Sequence, residues 1–170
     1  MVDINKIILS EKSLYYGKVN MPKGWDINRN KLTTDILQSV LQNKDLPFSR
    51  TLDMLNTYMR EHINLEYGFT LINKITSGYI YKPQQISVPI FDTDPVELKN
   101  SPDYTFLYGV NVEDCIVRIH YGDNRRKGRS WDIPLENNKY IMFPSSNMYY
   151  FSNNQKEKLN FVLKITYEYI

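Results

Sequence analysis

The chain has 170 residues, a formal net charge of +2, 42% apolar residues and 24% charged residues. That balance excludes a disordered or fibrous chain, and so small an excess of Lys and Arg gives no global basis for nucleic-acid or anionic-membrane binding. A chain of this length buries about two thirds of its unfolded surface, so a single domain, 1–170, is expected, with 1–68 as N-terminal strand, loop and helical support and 69–170 as a β-sandwich core.

The single cysteine, Cys115, excludes an internal disulfide and a cysteine-built zinc cage. Its apolar strand marks it as an inert packed thiol. The amino terminus lacks a signal-peptide apolar segment, and no apolar run approaches the roughly 20 residues of a membrane span. A reducing, cytoplasmic setting is the expectation, with no membrane partner.

In chain order, residues 1–30 read as an edge strand and a loop, with an apolar patch at Ile7, Ile8 and Leu9 and a turn at Pro22, Lys23 and Gly24. Thr33 or Thr34 can cap a first helix carrying Ile36, Leu37, Val40 and Leu41 on one face and ending near Asn43. Ser49 can cap a second, whose Leu52, Leu55, Met59 and Ile63 form a continuous apolar stripe. Because both helices precede most of the strands, they should pack together on the outer face of one sheet.

From residue 69 the period changes to two. Strands are expected at 69–76, 79–81, 86–91, 105–111, 115–121, 139–144 and 158–167, with corners at Gly78, Pro83, Pro95 and Pro102. Seven or eight antiparallel strands with helices against one face describe an α+β, mainly β fold: a double-stranded β-helix, or jelly roll, enclosing a pocket between two sheets.

Arg125, Arg126 and Arg129, with Trp131 beside them, form the densest basic cluster and can meet an anion or a partner, the indole offering a stacking face. The plain alternative is a solvated hairpin loop, its field muted by Glu113, Asp114, Asp123 and Asp132. The 14 tyrosines suit strand packing or surfaces that grip glycans and proteins. Tyr149, Tyr150 and Phe151 follow Phe143-Pro144-Ser145-Ser146-Asn147, a segment expected at the pocket mouth. A Cys115–His120 dyad fails on strand parity, because an odd separation puts the two side chains on opposite faces. His62 and His120 read as helix-packing and surface residues. No phosphate loop, nucleophile elbow or His-Glu-x-x-His motif occurs.

The order of elements, with Gly78-Tyr-Ile-Tyr-Lys-Pro83, Phe91-Asp-Thr-Asp94, Thr105-Phe-Leu-Tyr-Gly-Val-Asn111 and Tyr140-Ile-Met-Phe-Pro-Ser145, resembles the prolyl-hydroxylase-like branch of the iron(II)/2-oxoglutarate oxygenases. The resemblance covers about 52–170. It implies Fe(II) and 2-oxoglutarate as cofactors and a dioxygenase (hydroxylase) activity. In that family a His-x-Asp motif, a second His and an Arg-x-Ser about nine residues later build the site, with two imidazoles and a carboxylate on one face of the metal.

Carried over, Asp94 stands at the carboxylate, Asp92 at the first histidine and Tyr149 at the second. Lys158 and Asn160 stand at Arg-x-Ser as the co-substrate contacts. Lys158 would meet a carboxylate as a point charge, without arginine's fork. One metal ligand in three is kept in kind, so the resemblance implies an oxygenase-like protein with a degraded metal site. The alternative is a non-catalytic binding or structural module with a small molecule, glycan or protein partner in its pocket. The absence of alanine and the wealth of Asn, Lys, Ile and Tyr indicate an AT-rich genome. With the small size, this resembles accessory proteins of marine bacteriophages.

Overall fold

The computed structural model describes residues 6, 7, 12–121 and 128–170. Two helices, α1 (Arg29–Gln42) and α2 (Arg50–Tyr67), follow a short edge strand β1 (Tyr15–Lys18) and precede seven strands: β2 (Leu71–Tyr81), β3 (Tyr104–Asn111), β4 (Cys115–Tyr121), β5 (Arg129–Leu135), β6 (Lys139–Pro144), β7 (Tyr149–Asn153) and β8 (Asn160–Tyr169). They form a five-stranded sheet, β1-β6-β3-β8-β2, and a three-stranded sheet, β5-β4-β7. All their pairings are antiparallel. The expected α+β double-stranded β-helix is the observed fold.

Strand alternation sorts the side chains into two cores. On β8, Phe161, Leu163, Ile165 and Tyr167 face the helices, where Ile36, Leu55, Met59 and Ile63 are fully buried against the large sheet. Each such side chain contributes about 1.5–3 kcal/mol by leaving water. Val162 faces the other way, into the layer between the sheets, with Leu107, Val117, Ile141, Phe143, Tyr149 and Phe151. Asn160, Lys164 and Thr166 share the parity of Val162, so three polar residues of β8 point into the sandwich.

Several local expectations are corrected. Asn28, not Thr33 or Thr34, caps α1, its Oδ1 accepting from the Lys31 amide at 3.1 Å. Both threonine hydroxyls instead donate to carbonyls one turn back, Arg29 and Asn30, as such residues do inside a helix. The helix docks through its first half, with Leu32 and Ile36 buried and Leu37, Val40 and Leu41 exposed. For α2 the Ser49 cap and the buried stripe are as expected, and Gly68 ends the helix at φ 77°.

Gly78 is not a corner: the segments expected at 69–76 and 79–81 are one strand, β2, with a bulge between Asn73 and Ile75. A Cβ at Gly78 would lie 2.6 Å from Ile36 Cγ1, so the missing side chain lets α1 lie on the sheet. Residues 86–91 form bridges rather than a strand, Ile86 to Ser152 and Ile90 to Tyr149, because Pro89 has no amide to donate. The expected patch at Ile7, Ile8 and Leu9 falls partly outside the described residues, and the observed edge strand is β1. β5 and β7 are strands that the sequence reading did not separate. No helix among the described residues is long and apolar enough to cross a membrane.

Candidate functional site

The bridge from Ile90 to Tyr149 carries the chain into the sandwich and sets Asp92 at its interior. Asp92 Oδ2 accepts from Tyr149 OH at 2.8 Å and from Thr105 Oγ1 at 2.7 Å, and Oδ1 accepts from Lys164 Nζ at 2.7 Å. Ser145 Oγ lies 2.9 Å from Thr105 Oγ1 and extends the chain of hydroxyls. The Asp92 and Lys164 side chains are only 7% and 11% exposed. The ammonium also sits over the Tyr79 ring, 5.0 Å from its centroid.

Desolvating two charges is costly, so such a pair persists only where further hydrogen bonds saturate it. Thr105 and Tyr149 supply them. Burial drives the Tyr149 phenol well above its ordinary range, and the Asp92 charge and hydrogen bond push it in the same sense. For Lys164 burial pulls the ammonium down, but the Asp92 bond and charge, with Tyr79, outweigh it and hold the pKa above its free value.

Of the residues singled out for the metal, Asp92 and Tyr149 come together. Asp94 points elsewhere: its Oδ1 accepts from the Val96 amide at 2.8 Å in an exposed loop, and its own amide donates to Ser101 Oγ. Lys158 is exposed and paired with Glu113 at 2.8 Å. Asn160 is buried, its Oδ1 accepting from the Glu113 amide, and neither is bonded to Asp92. Arg125 and Arg126 lie outside the described residues. His62 stacks on Tyr58 along α2, and His120 is tilted against Tyr150. Cys115 is buried, its thiol pushed up to about 12 chiefly by burial.

Sequence reasoning missed Lys164. Its signal was present: Lys164-Ile165-Thr166 repeats the basic-x-hydroxyl pattern of Arg-x-Ser on one face of one strand, and Thr166 Oγ1 is buried without a hydrogen-bond partner among the described residues. The greater separation from Tyr149 hid it. The turn between β7 and β8 lengthens that interval, with Asn153 bonding back to the Tyr81 and Lys158 carbonyls.

Around Asp92 the residues gathered offer one carboxylate and one phenol, Tyr149. Both Asp92 oxygens are taken by three donors, one of them a cation, and neither imidazole is among them. Among the described residues no group of three or more His, Cys, Asp or Glu converges.

A cleft of about 740 Å³ opens beside this cluster. Pro144 and Ser146, which flank Ser145, form part of its wall, as does Ile119, the register partner of Tyr149. Arg129 and Trp131, expected as contact residues, also line it.

No protein-family model and no curated protein sequence matches this chain. Solved structures do. A prolyl-4-hydroxylase from Pseudomonas putida superposes with a TM-score of 0.63 at 12% identity, over 92% of this chain and 88% of that one. A viral collagen prolyl hydroxylase from Paramecium Bursaria Chlorella virus-1, solved as a 2-oxoglutarate complex, gives 0.59 at 15% identity over 90% and 95%. The epimerase SnoN, solved with Fe3+, alpha ketoglutarate and nogalamycin RO, gives 0.62 at 9% over 92% and 79%. What this chain shares with these proteins is their fold, the double-stranded β-helix of the 2-oxoglutarate/iron(II) oxygenases.

Proposed function

We propose that this protein is an oxygenase-like double-stranded β-helix that binds a ligand without iron chemistry. One observation carries the reading: the Asp92 carboxylate, which stands where the resemblance puts a metal ligand, is already neutralised by Lys164 and saturated by Tyr149 and Thr105. A divalent cation would have to displace a buried ammonium and two hydroxyl donors, and would gain no imidazole in return. The open cleft beside the cluster is then where a small molecule, glycan or peptide binds.

A second reading has its own support. The inward Lys164 and the unpartnered Thr166 hydroxyl suit a carboxylate, so an oxygenase in which Lys164 releases Asp92 to receive 2-oxoglutarate has residues to work with. Calorimetric titration separates the two. The binding-module reading expects no saturable heat with manganese(II), iron(II) or 2-oxoglutarate. Saturable binding of manganese(II) that strengthens with 2-oxoglutarate and disappears in Asp92→Asn would overturn it.

A further inference from the structure

The cleft lies between the open edges of the two sheets. β1 is the edge of the large sheet and β5 the edge of the small one. Arg129 and Trp131 share strand parity with the buried Ile133 and Leu135, so both belong to the inward face of β5. Tyr16, whose neighbour Tyr15 packs against the helix-side core, likewise belongs to the inward face of β1. Yet Trp131 is 59% and Tyr16 68% exposed. Among the described residues no opposing strand covers these inward-facing rings, which leaves their faces open to a ligand.

The chemistry around these rings is one-sided. Lys12 and Arg129 bring two basic side chains, Ser13, Ser146 and Asn147 bring neutral hydroxyl and amide groups, and among the described residues no carboxylate lines the cleft. Among the described residues, Asp132, next to Trp131, is held by Arg118 on the outer face, through Oδ1 at 2.5 Å and Oδ2 at 2.8 Å.

From this arrangement we infer that the cleft binds an acidic sugar, its ring stacked on Trp131 and Tyr16 and its carboxylate or phosphate met by Arg129 and Lys12. Exposed indole and phenol rings offer flat apolar faces with polar rims. Arginine grips a planar carboxylate through two parallel hydrogen bonds. The neutral hydroxyl and amide groups favour a ligand rich in hydroxyls over an aryl acid. The volume lies in the range of small-molecule sites, roughly 300–1,000 Å³. The inference rests on the binding-module reading only in naming what the module takes.

The two tryptophans, Trp25 and Trp131, give two indole N–H signals, and only Trp131 lines the cleft. Titration with D-glucuronate should shift the Trp131 signal saturably and leave that of Trp25, which lies beside Arg50, in place. D-glucose should bind at least about tenfold more weakly, the worth of one charge-assisted hydrogen bond. Arg129→Met should remove that preference, and Lys12→Met, an independent variant at the other cation, should reduce it. A Trp131 signal that never moves, equal affinity for glucose, or tighter binding of benzoate than of glucuronate would each sink the inference. Manganese(II) binding in the same sample would overturn the reading of the interior cluster and leave the cleft standing, whereas a silent Trp131 does the reverse.

Discussion

Lys164 holds Asp92 in a setting where the two side chains are only 11% and 7% exposed, and the Tyr149 and Thr105 hydroxyls both donate to the same carboxylate. Removing one member of a buried pair leaves an uncompensated charge, a loss of about 3–5 kcal/mol. Lys164→Met should therefore destabilise by that amount in urea unfolding. The double variant Lys164→Met/Asp92→Asn, whose amide oxygen still accepts from Tyr149 and Thr105, should recover most of it. A single variant within about 1 kcal/mol of wild type would mean that the pair is solvated and structurally idle.

At the scale of elements, the seat of α1 depends on an absence. Gly78 contributes no side chain where Ile36 Cγ1 and Cγ2 would stand 2.6 and 2.8 Å from a Cβ. Both partners are fixed, one by sheet hydrogen bonds and the other by complete burial, so Gly78→Ala should cost about 1–3 kcal/mol as an overpacked contact. In the background of Ile36→Ala the same change should cost little, a coupling that a double-mutant cycle by thermal or urea denaturation would measure. Additive costs would mean that α1 seats elsewhere.

The same glycine shows what a sequence hides. Glycine punctuates turns far more often than it makes room for a helix, and the reason for it here lies 42 positions away, at Ile36. β3, β4, β6 and β8 were legible because alternating apolar and aromatic runs carry their own period. The α2 cap was legible because a serine side chain acts within three residues, on Leu52. Lys164 was not, since a lysine inside an apolar strand makes sense only once Asp92, 72 residues earlier, is known to meet it. Asp92 and Tyr149 were found through the resemblance, which fixes positions in the fold but not the bonds that the substituted side chains make there.

The whole molecule is held in part by buried phenols. Tyr81, Tyr104, Tyr108, Tyr149 and Tyr167 are held above the ordinary phenol value, each chiefly by burial, and Tyr140 is pushed up to about 12 by the same cause. A folded chain thus keeps these protons at a pH where the unfolded chain has released them, so the stability they represent is complete below about pH 10 and is lost as pH rises. Lys164, also held above its free value, loses its contribution in the same direction. Each group removes up to about 1.4 kcal/mol per pH unit beyond its unfolded value. Tyr104 and Tyr140, less deeply set than the others, contribute less, but the four deeply buried phenols alone remove a large part of an ordinary domain stability of about 5–15 kcal/mol within one or two units. Alkaline unfolding should be steep, with the absorbance of the buried phenolates rising only as the far-ultraviolet signal of the strands collapses. Complete ionisation of all 14 tyrosines while that signal persists would show that the layer between the sheets is open to hydroxide, and with it the Asp92 cluster.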